Sequence, residues 1–239
     1  MTAEEFNILT SPSLREAIEQ RIDSNPIDIA LDKRLEHASL IATQVKRLQR
    51  ARAKLPSYYA VRATLPPRAY EQSSSEQCAA NKRLTGASVL DLTCGLGVDT
   101  LALSRKFARV VSLERDPILA EVTRHNLRLL GADNVEVICS SAEEYLAQTT
   151  EHFDSIFADP DRRSERGEKM VLLEDCSPNM VALYPRLREV AENICIKCSP
   201  LFDTAEALRK FNNCSVETVS LGGECKEVNI YIGGSVPTL

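Results

Sequence analysis

Two short stretches of the chain hold residue types that do chemistry. Asp159-Pro160-Asp161-Arg162-Arg163 places two carboxylates and two guanidinium groups directly after the apolar run 153–158. A carboxylate in that place accepts hydrogen bonds from a reacting group, while adjacent arginines suit a phosphate or an ion pair with Asp161. Asp159, Pro160, Asp161 and Arg162 are therefore the candidate catalytic residues, and Arg162 and Arg163 are candidates for holding a substrate. The second stretch is Asp91-Leu-Thr-Cys-Gly-Leu-Gly97, an acid that ends an apolar strand and then a turn of small residues. Glycines let the backbone approach a ligand closely, and a helix beginning at Val98 offers N–H groups at its start. In open α/β sheets ligands bind at the carboxyl ends of the strands, and both stretches fall there.

The spacing selects the ligand. The dinucleotide fingerprint G-x-G-x-x-G/A fails, because Thr100 stands at the third small position. Asp91, Gly95 and Gly97 instead resemble D/E-x-G-x-G-x-G, the first motif of class I S-adenosylmethionine (SAM) methyltransferases, with Thr93 in place of the first glycine. SAM has no phosphate, so such a loop cradles its amino-acid end and ribose. Residues 109–114 form an apolar strand ending in acid, and Glu114, with Arg115 beside it, stands where a carboxylate takes both ribose hydroxyls. Ser140-Ser-Ala-Glu143 borders the adenine in this plan. Aspartate is usual at the place of Ser141, so either Ser141 or Glu143 serves, with Ala142 between them. Gln72 and Ser74, in Tyr70-Glu-Gln-Ser-Ser-Ser-Glu76, weakly resemble a segment that touches SAM in nucleic-acid methyltransferases, although helix capping also accounts for the serines. The cofactor-binding candidates are thus Gln72, Ser74, Asp91, Thr93, Cys94, Gly95, Gly97, Asp99, Glu114, Arg115, Ser141, Ala142, Glu143 and Asp159. The loop after residue 158 corresponds to the fourth motif, often D/N-P-P-Y in base N-methylating enzymes. Asp161 replaces its second proline and Arg162 its aromatic, which argues against amine methylation of a stacked base.

Around these stretches strands and helices alternate. Strands are expected at 88–92, 109–114, 135–139, 153–158, 193–197, 215–221 and 227–232, with helices at 98–107, 117–130, 179–191 and 203–211. Alternation with helices gives a parallel sheet, and Gly222-Gly223 between the last two strands signals an antiparallel hairpin. The fold class is therefore α/β: a Rossmann-like, mostly parallel seven-stranded sheet with a terminal antiparallel hairpin, carrying an N-terminal helical subdomain. The expected division is 1–70 for the helices and 71–239 for the catalytic domain. Within the helical part, Ser11-Pro12 starts a helix that Asn25-Pro26 breaks. A longer helix is expected over 32–54, and Pro56 and Pro66-Pro67 end helical structure.

Charge is unevenly spread. The chain of 239 residues has a net charge of −5, yet residues 33–68 carry nine Lys/Arg against the single acid Glu36. The rest has 20 Lys/Arg against 33 acids. A basic segment on an acidic body suggests a polyanionic partner, with Lys46, Arg47, Arg50 and Lys54 as substrate-binding candidates. A solvated helix face is the plainer reading. No apolar run reaches the length of a membrane span and no signal segment opens the chain, so a cytoplasmic protein without a membrane partner is expected. Eight cysteines, several inside strands, suit reduced thiols. Cys195 and Cys198 face opposite sides of a strand, and His37, His125 and His152 are scattered, so no metal is expected. Cys176 lacks the local signature of the nucleophile that carbon-5 pyrimidine methylation requires.

Together LEHASLIATQVKRLQRARAKLPSYYA, YEQSSSE, DLTCGLGVD, ADPDRRS, LEDCSP, CIKCSPLFD and LGGECKEV resemble the class I RNA methyltransferases that carry a THUMP-like domain, over about residues 35–232. The resemblance implies SAM binding and an RNA substrate, rRNA or tRNA. The family also carries a THUMP-like domain C-terminal to the catalytic one, which residues 1–239 do not contain: either it has been removed or this member lacks it. Methylation of a small molecule, or SAM and RNA binding without turnover, are the alternatives.

Overall fold

The computed structural model describes residues 1–161 and 172–233. Seven strands form one sheet in the order β3-β2-β1-β4-β5-β7-β6. They are β1 (Ser88–Asp91), β2 (Arg109–Glu114), β3 (Val135–Cys139), β4 (Phe153–Ala158), β5 (Ala191–Cys198), β6 (Cys214–Leu221) and β7 (Glu224–Ile232). The five strands from β3 to β5 pair in parallel, while β7 runs antiparallel to both β5 and β6. Strand order reverses at β1, which lies between β2 and β4. The ends of those three strands therefore open into one crevice.

The strands are apolar on both faces, as a sheet covered twice requires. Alternate residues divide between the two sides: Val89, Val110, Phe157 and Cys195 belong to one cluster, Leu90, Val111, Ile156, Ile194, Ile196 and Cys198 to another. Cys195 and Cys198 thus lie on opposite faces, as their spacing predicts.

The helices are α1 (Ala3–Thr10), α2 (Pro12–Gln20), α3 (Pro26–Leu31), α4 (Ala38–Lys54), α5 (Pro56–Ala60), α6 (Pro67–Gln72), α7 (Glu76–Ala79), α8 (Val98–Ser104), α9 (Pro117–Leu129), α10 (Ala142–Gln148), α11 (Met180–Val190) and α12 (Thr204–Lys210). Several differences from the expected elements have one cause: proline opens helices here. Asn25-Pro26 starts α3, with the Asn25 side chain accepting from the Ile27 amide, and Pro56 and Pro67 begin α5 and α6. Proline fits the first turn, where its missing N–H would be unsatisfied anyway. Residues 32–37 are not α-helical, and α4 begins only after His37, whose φ of 56° is left-handed. Ser141 caps α10, a helix absent from the expected set.

The N-terminal helices share a core with the sheet. Ile41, Val45, Leu48 and Tyr58 join Cys94, Leu96, Val98, Leu101 and Leu127 in one buried cluster. Polar ties reinforce it. The buried Gln44 amide donates to the Ala63 carbonyl at 2.7 Å and accepts from the Leu65 amide at 3.2 Å. Asn126 and Thr64 exchange two bonds at 2.8 and 2.9 Å. Tyr58, fully buried, donates its hydroxyl to the Leu96 carbonyl at 3.1 Å, so α5 holds the glycine loop from below. Tyr58→Phe should therefore destabilise the chain by about 1–3 kcal/mol, the cost of leaving a buried carbonyl without its donor. Urea denaturation of the two proteins measures this directly.

Candidate functional site

The glycine loop is built on Asp91. This carboxylate is fully buried at the end of β1. Its Oδ2 accepts from Thr100 Oγ1 at 2.6 Å and Ser112 Oγ at 2.8 Å, and Oδ1 from the Thr93 amide at 3.0 Å. One side chain thus joins β1, the loop, α8 and β2. Asp91 does not line the cleft. It supports the loop from within, whereas the sequence reading places it against the cofactor. Gly97 also packs inward: its φ is +82°, and a Cβ there would meet Thr123 Cγ2 at 2.8 Å.

Gly95 faces open space, with φ +54° and nothing within 4 Å of the point a Cβ would occupy. The amides of Thr93, Cys94, Gly95 and Gly97 are engaged, that of Thr93 by Asp91. Cys94 N donates to Leu113 O, Gly97 N to Cys94 O and Gly95 N to Glu114 Oε2, at 2.8, 2.8 and 2.9 Å. These four amides are therefore spent within the protein and not on a ligand. Glu114 ends β2, with Oε1 accepting from the Asp116 amide at 2.9 Å. Burial raises its pKa against these two backbone bonds. Each oxygen keeps a further lone pair for a ligand hydroxyl.

Thr93 stands where a glycine is expected, and its hydroxyl explains why a side chain is tolerated. It accepts from the Asp159 amide at 2.6 Å, tying the loop after β1 to the loop after β4. Beyond it, Asp161 and Ser177 exchange two backbone bonds at 2.8 and 3.0 Å. Arg115 donates to Ser177 Oγ at 2.9 Å, and Arg68 of α6 lies 3.2 Å from the Asp161 carboxylate.

These groups border a cleft of about 800 Å³ at the carboxyl ends of β1, β2, β3 and β4. Of the sequence-derived cofactor candidates, Gln72, Ser74, Thr93, Cys94, Gly95, Asp99, Glu114, Arg115, Ser141, Ala142, Glu143 and Asp159 line it, as do Pro160 and Asp161. Arg162 and Arg163 lie outside the described residues. Ser141 spends its side chain on capping, accepting from the Glu144 amide at 3.2 Å, while Glu143 is exposed beside it.

Of the four basic residues of α4, Lys46 and Arg50 are exposed. Arg47 is half-buried, and burial lowers its pKa. Lys54 donates to the Tyr70 carbonyl at 2.8 Å and lies over the Tyr70 ring, so it anchors α6 at the rim of the cleft.

Sequence reasoning missed Lys82, Lys197 and Glu227. The signal was available: a lysine inside the apolar run Ile194-Cys-Ile-Lys-Cys198 needs a buried partner. Lys197 Nζ lies 2.5 Å from Asp159 Oδ2, 2.7 Å from Ser74 Oγ and 3.6 Å from Asp99 Oδ2. Burial works against its charge, but Asp159, Asp99 and Glu227 outweigh it and raise its pKa. Asp99 Oδ1 makes no hydrogen bond, the Lys82 ammonium lying 3.4 Å away. Among the described residues no group of three His, Cys, Asp or Glu is placed to hold a metal, and no helix is long and apolar enough to cross a membrane.

The sheet order, the glycine turn on β1, the acid ending β2 and the Asp-Pro loop after β4 define the class I SAM-dependent methyltransferase fold. Residues 73–177 match the family described as conserved hypothetical protein 95. The chain is 30% identical over 153 residues to an uncharacterised S-adenosylmethionine-dependent methyltransferase of Mycobacterium tuberculosis, covering 64% of this chain and 40% of that one. It is 35% identical over 106 residues to the 23S rRNA (uracil(1939)-C(5))-methyltransferase RlmD of Edwardsiella ictaluri, covering 39% and 24%. The crystal structure of a candidate methyltransferase from Porphyromonas gingivalis W83 superposes with a TM-score of 0.80 at 28% identity, covering 95% of this chain and 58% of that one. The chain thus spans well under half the length of these two curated relatives.

The Asp91 carboxyl has its pKa pushed up to about 6 by burial, against hydrogen bonds from Thr100, Thr93 and Ser112. The folded state then binds its proton more tightly than the unfolded chain does. Its contribution to stability is full below about pH 4 and is lost as pH rises through about 6. Asp91→Asn keeps the acceptor and cannot ionise. Relative to the parent, the variant should gain up to about 3 kcal/mol of unfolding free energy between about pH 4 and 7, as read by urea denaturation at both pH values.

Proposed function

We propose that this chain binds SAM and transfers its methyl group to RNA. The observation that carries this reading is the single cleft that joins Gly95 and Glu114 to Asp159 and Pro160. Donor and acceptor can meet in such a space without either crossing the sheet. The residues fit the cofactor: an open surface over Gly95 and a carboxylate with spare lone pairs at Glu114. Glu143 suits the adenine amine, because Ser141 is committed to its helix. When bound, SAM supplies an electrophilic methyl on a sulfonium. Asp159 orients the acceptor, Pro160 closes the wall behind it, and catalysis comes mainly from positioning.

RNA is favoured over a small molecule by the basic face of α4, which ends at the cleft rim where Lys54 grips α6. The resemblance to THUMP-bearing RNA methyltransferases and the rRNA substrate in the name of the E. ictaluri relative support the same choice. The chemistry at carbon 5 of a pyrimidine does not carry over readily. That route needs a thiolate in the cleft. Among the described residues one cysteine, Cys94, lines the cleft, and burial pushes its thiol far above the usual range. Cys176 is buried, with its Sγ 3.3 Å from the Leu172 carbonyl. A heteroatom acceptor suits the site better.

Transfer of tritium from methyl-labelled SAM to total RNA of cells lacking the protein, followed by nucleoside analysis, tests the reading. Labelled nucleoside is expected; label confined to small molecules would point to the alternative substrate. Glu114→Ala should weaken SAM binding by about 1.5–3 kcal/mol, the range for hydrogen bonds to a charged group, as measured by calorimetry. Replacing Lys46 and Arg50 with alanine should weaken RNA binding broadly and lower the salt slope by about one unit per lost phosphate contact, with SAM affinity unchanged. Binding assays at several salt concentrations read both effects.

A further inference from the structure

Behind the cleft lies a cluster of buried charges: Lys82, Lys197, Asp99, Glu227 and the partly buried Asp159. Burying an ion costs several kcal/mol unless it is well paired. The cluster divides into two halves. Lys82 pairs directly with Glu227, which also accepts from the Asn229 amide at 3.1 Å. Glu227 therefore has a cation without Lys197, whose Nζ is 3.9 Å away.

Lys197 serves the other half. An ammonium has three donors and no preferred plane. Here two of them meet Ser74 before α7 and Asp159 after β4, while the Asp99 carboxylate on α8 lies 3.6 Å away as an ion pair; all three segments line the cleft. Ser74 Oγ in turn donates to Asp99 Oδ2 at 2.7 Å. The backbone of Asp159 is fixed separately, by its amide bond to Thr93. Main chain and carboxylate are thus clamped from opposite sides.

We infer that Lys197 is the positioning residue of the acceptor site: it holds the Asp159 carboxylate aimed, and couples it to the cofactor side through Ser74 and Asp99. The inference rests on the methyl-transfer reading. Lys197 does not itself line the cleft, so it acts through Asp159 and not on the acceptor. Within the cluster it faces Asp99, Asp159, Glu227 and Lys82, and the Lys54 charge also reaches it.

The test compares the parent, Lys197→Met, and Lys197→Met with Glu227→Gln. The double variant restores the charge balance of the cluster, so it remains informative if the single variant folds poorly. Single-turnover methyl transfer to total RNA is followed, with SAM affinity measured by calorimetry. Transfer should fall about 10²-fold, the scale of a misplaced reacting group, with a much smaller change in SAM affinity. A folded double variant with parental rate, or one whose SAM affinity falls as far as its rate, overturns the inference and leaves Lys197 as packing alone. No transfer by the parent itself overturns the methyl-transfer reading, and the inference with it.

Discussion

The site depends on one buried carboxylate. Asp91 receives three hydrogen bonds, from the loop that follows it, from the helix after that loop and from the neighbouring strand. Because it is fully buried, every bond it accepts must be made within the protein, and that requirement sets the path of residues 91–100. Glu114 then takes the Gly95 amide from outside the loop, as Asp91 takes the Thr93 amide from within. Two acids, one internal and one at the cleft, fix opposite sides of the same turn.

Much of this was legible in the sequence because the sheet is buried on both faces. Apolar runs ending in acid or small residues mark β1, β2 and β4 within a residue or so, and Gly222-Gly223 marks the reversal between β6 and β7. The cleft-lining set was largely readable too, since strand ends in this topology converge by construction. Asp91 and Gly97 lie in the expected loop but pack inward and do not line the cleft. Motif spacing identifies position along the chain but not whether a side chain points in or out.

What the sequence did not disclose was set by long-range pairing. Lys82 and Glu227 are 145 residues apart, and Lys197 meets Ser74 across 123. Neither local composition nor periodicity reports such meetings; only the odd charge inside β5 hinted that one existed. The helical layer followed the same pattern. Its apolar stripe was visible, whereas the Tyr58 bond to Leu96 and the proline-led starts of α5 and α6 depend on what packs beside them.

The glycine loop has its amides at Thr93, Cys94, Gly95 and Gly97 satisfied by the protein. A loop in that state is pre-organised: its backbone has already lost the freedom that a ligand would otherwise have to remove. Fixing a residue's backbone costs about 1–2 kcal/mol, so a cradle of this size spares a cofactor several kcal/mol of ordering. The association enthalpy then reflects contacts and displaced water instead of loop folding. A ligand can also enter and leave without the loop melting in between.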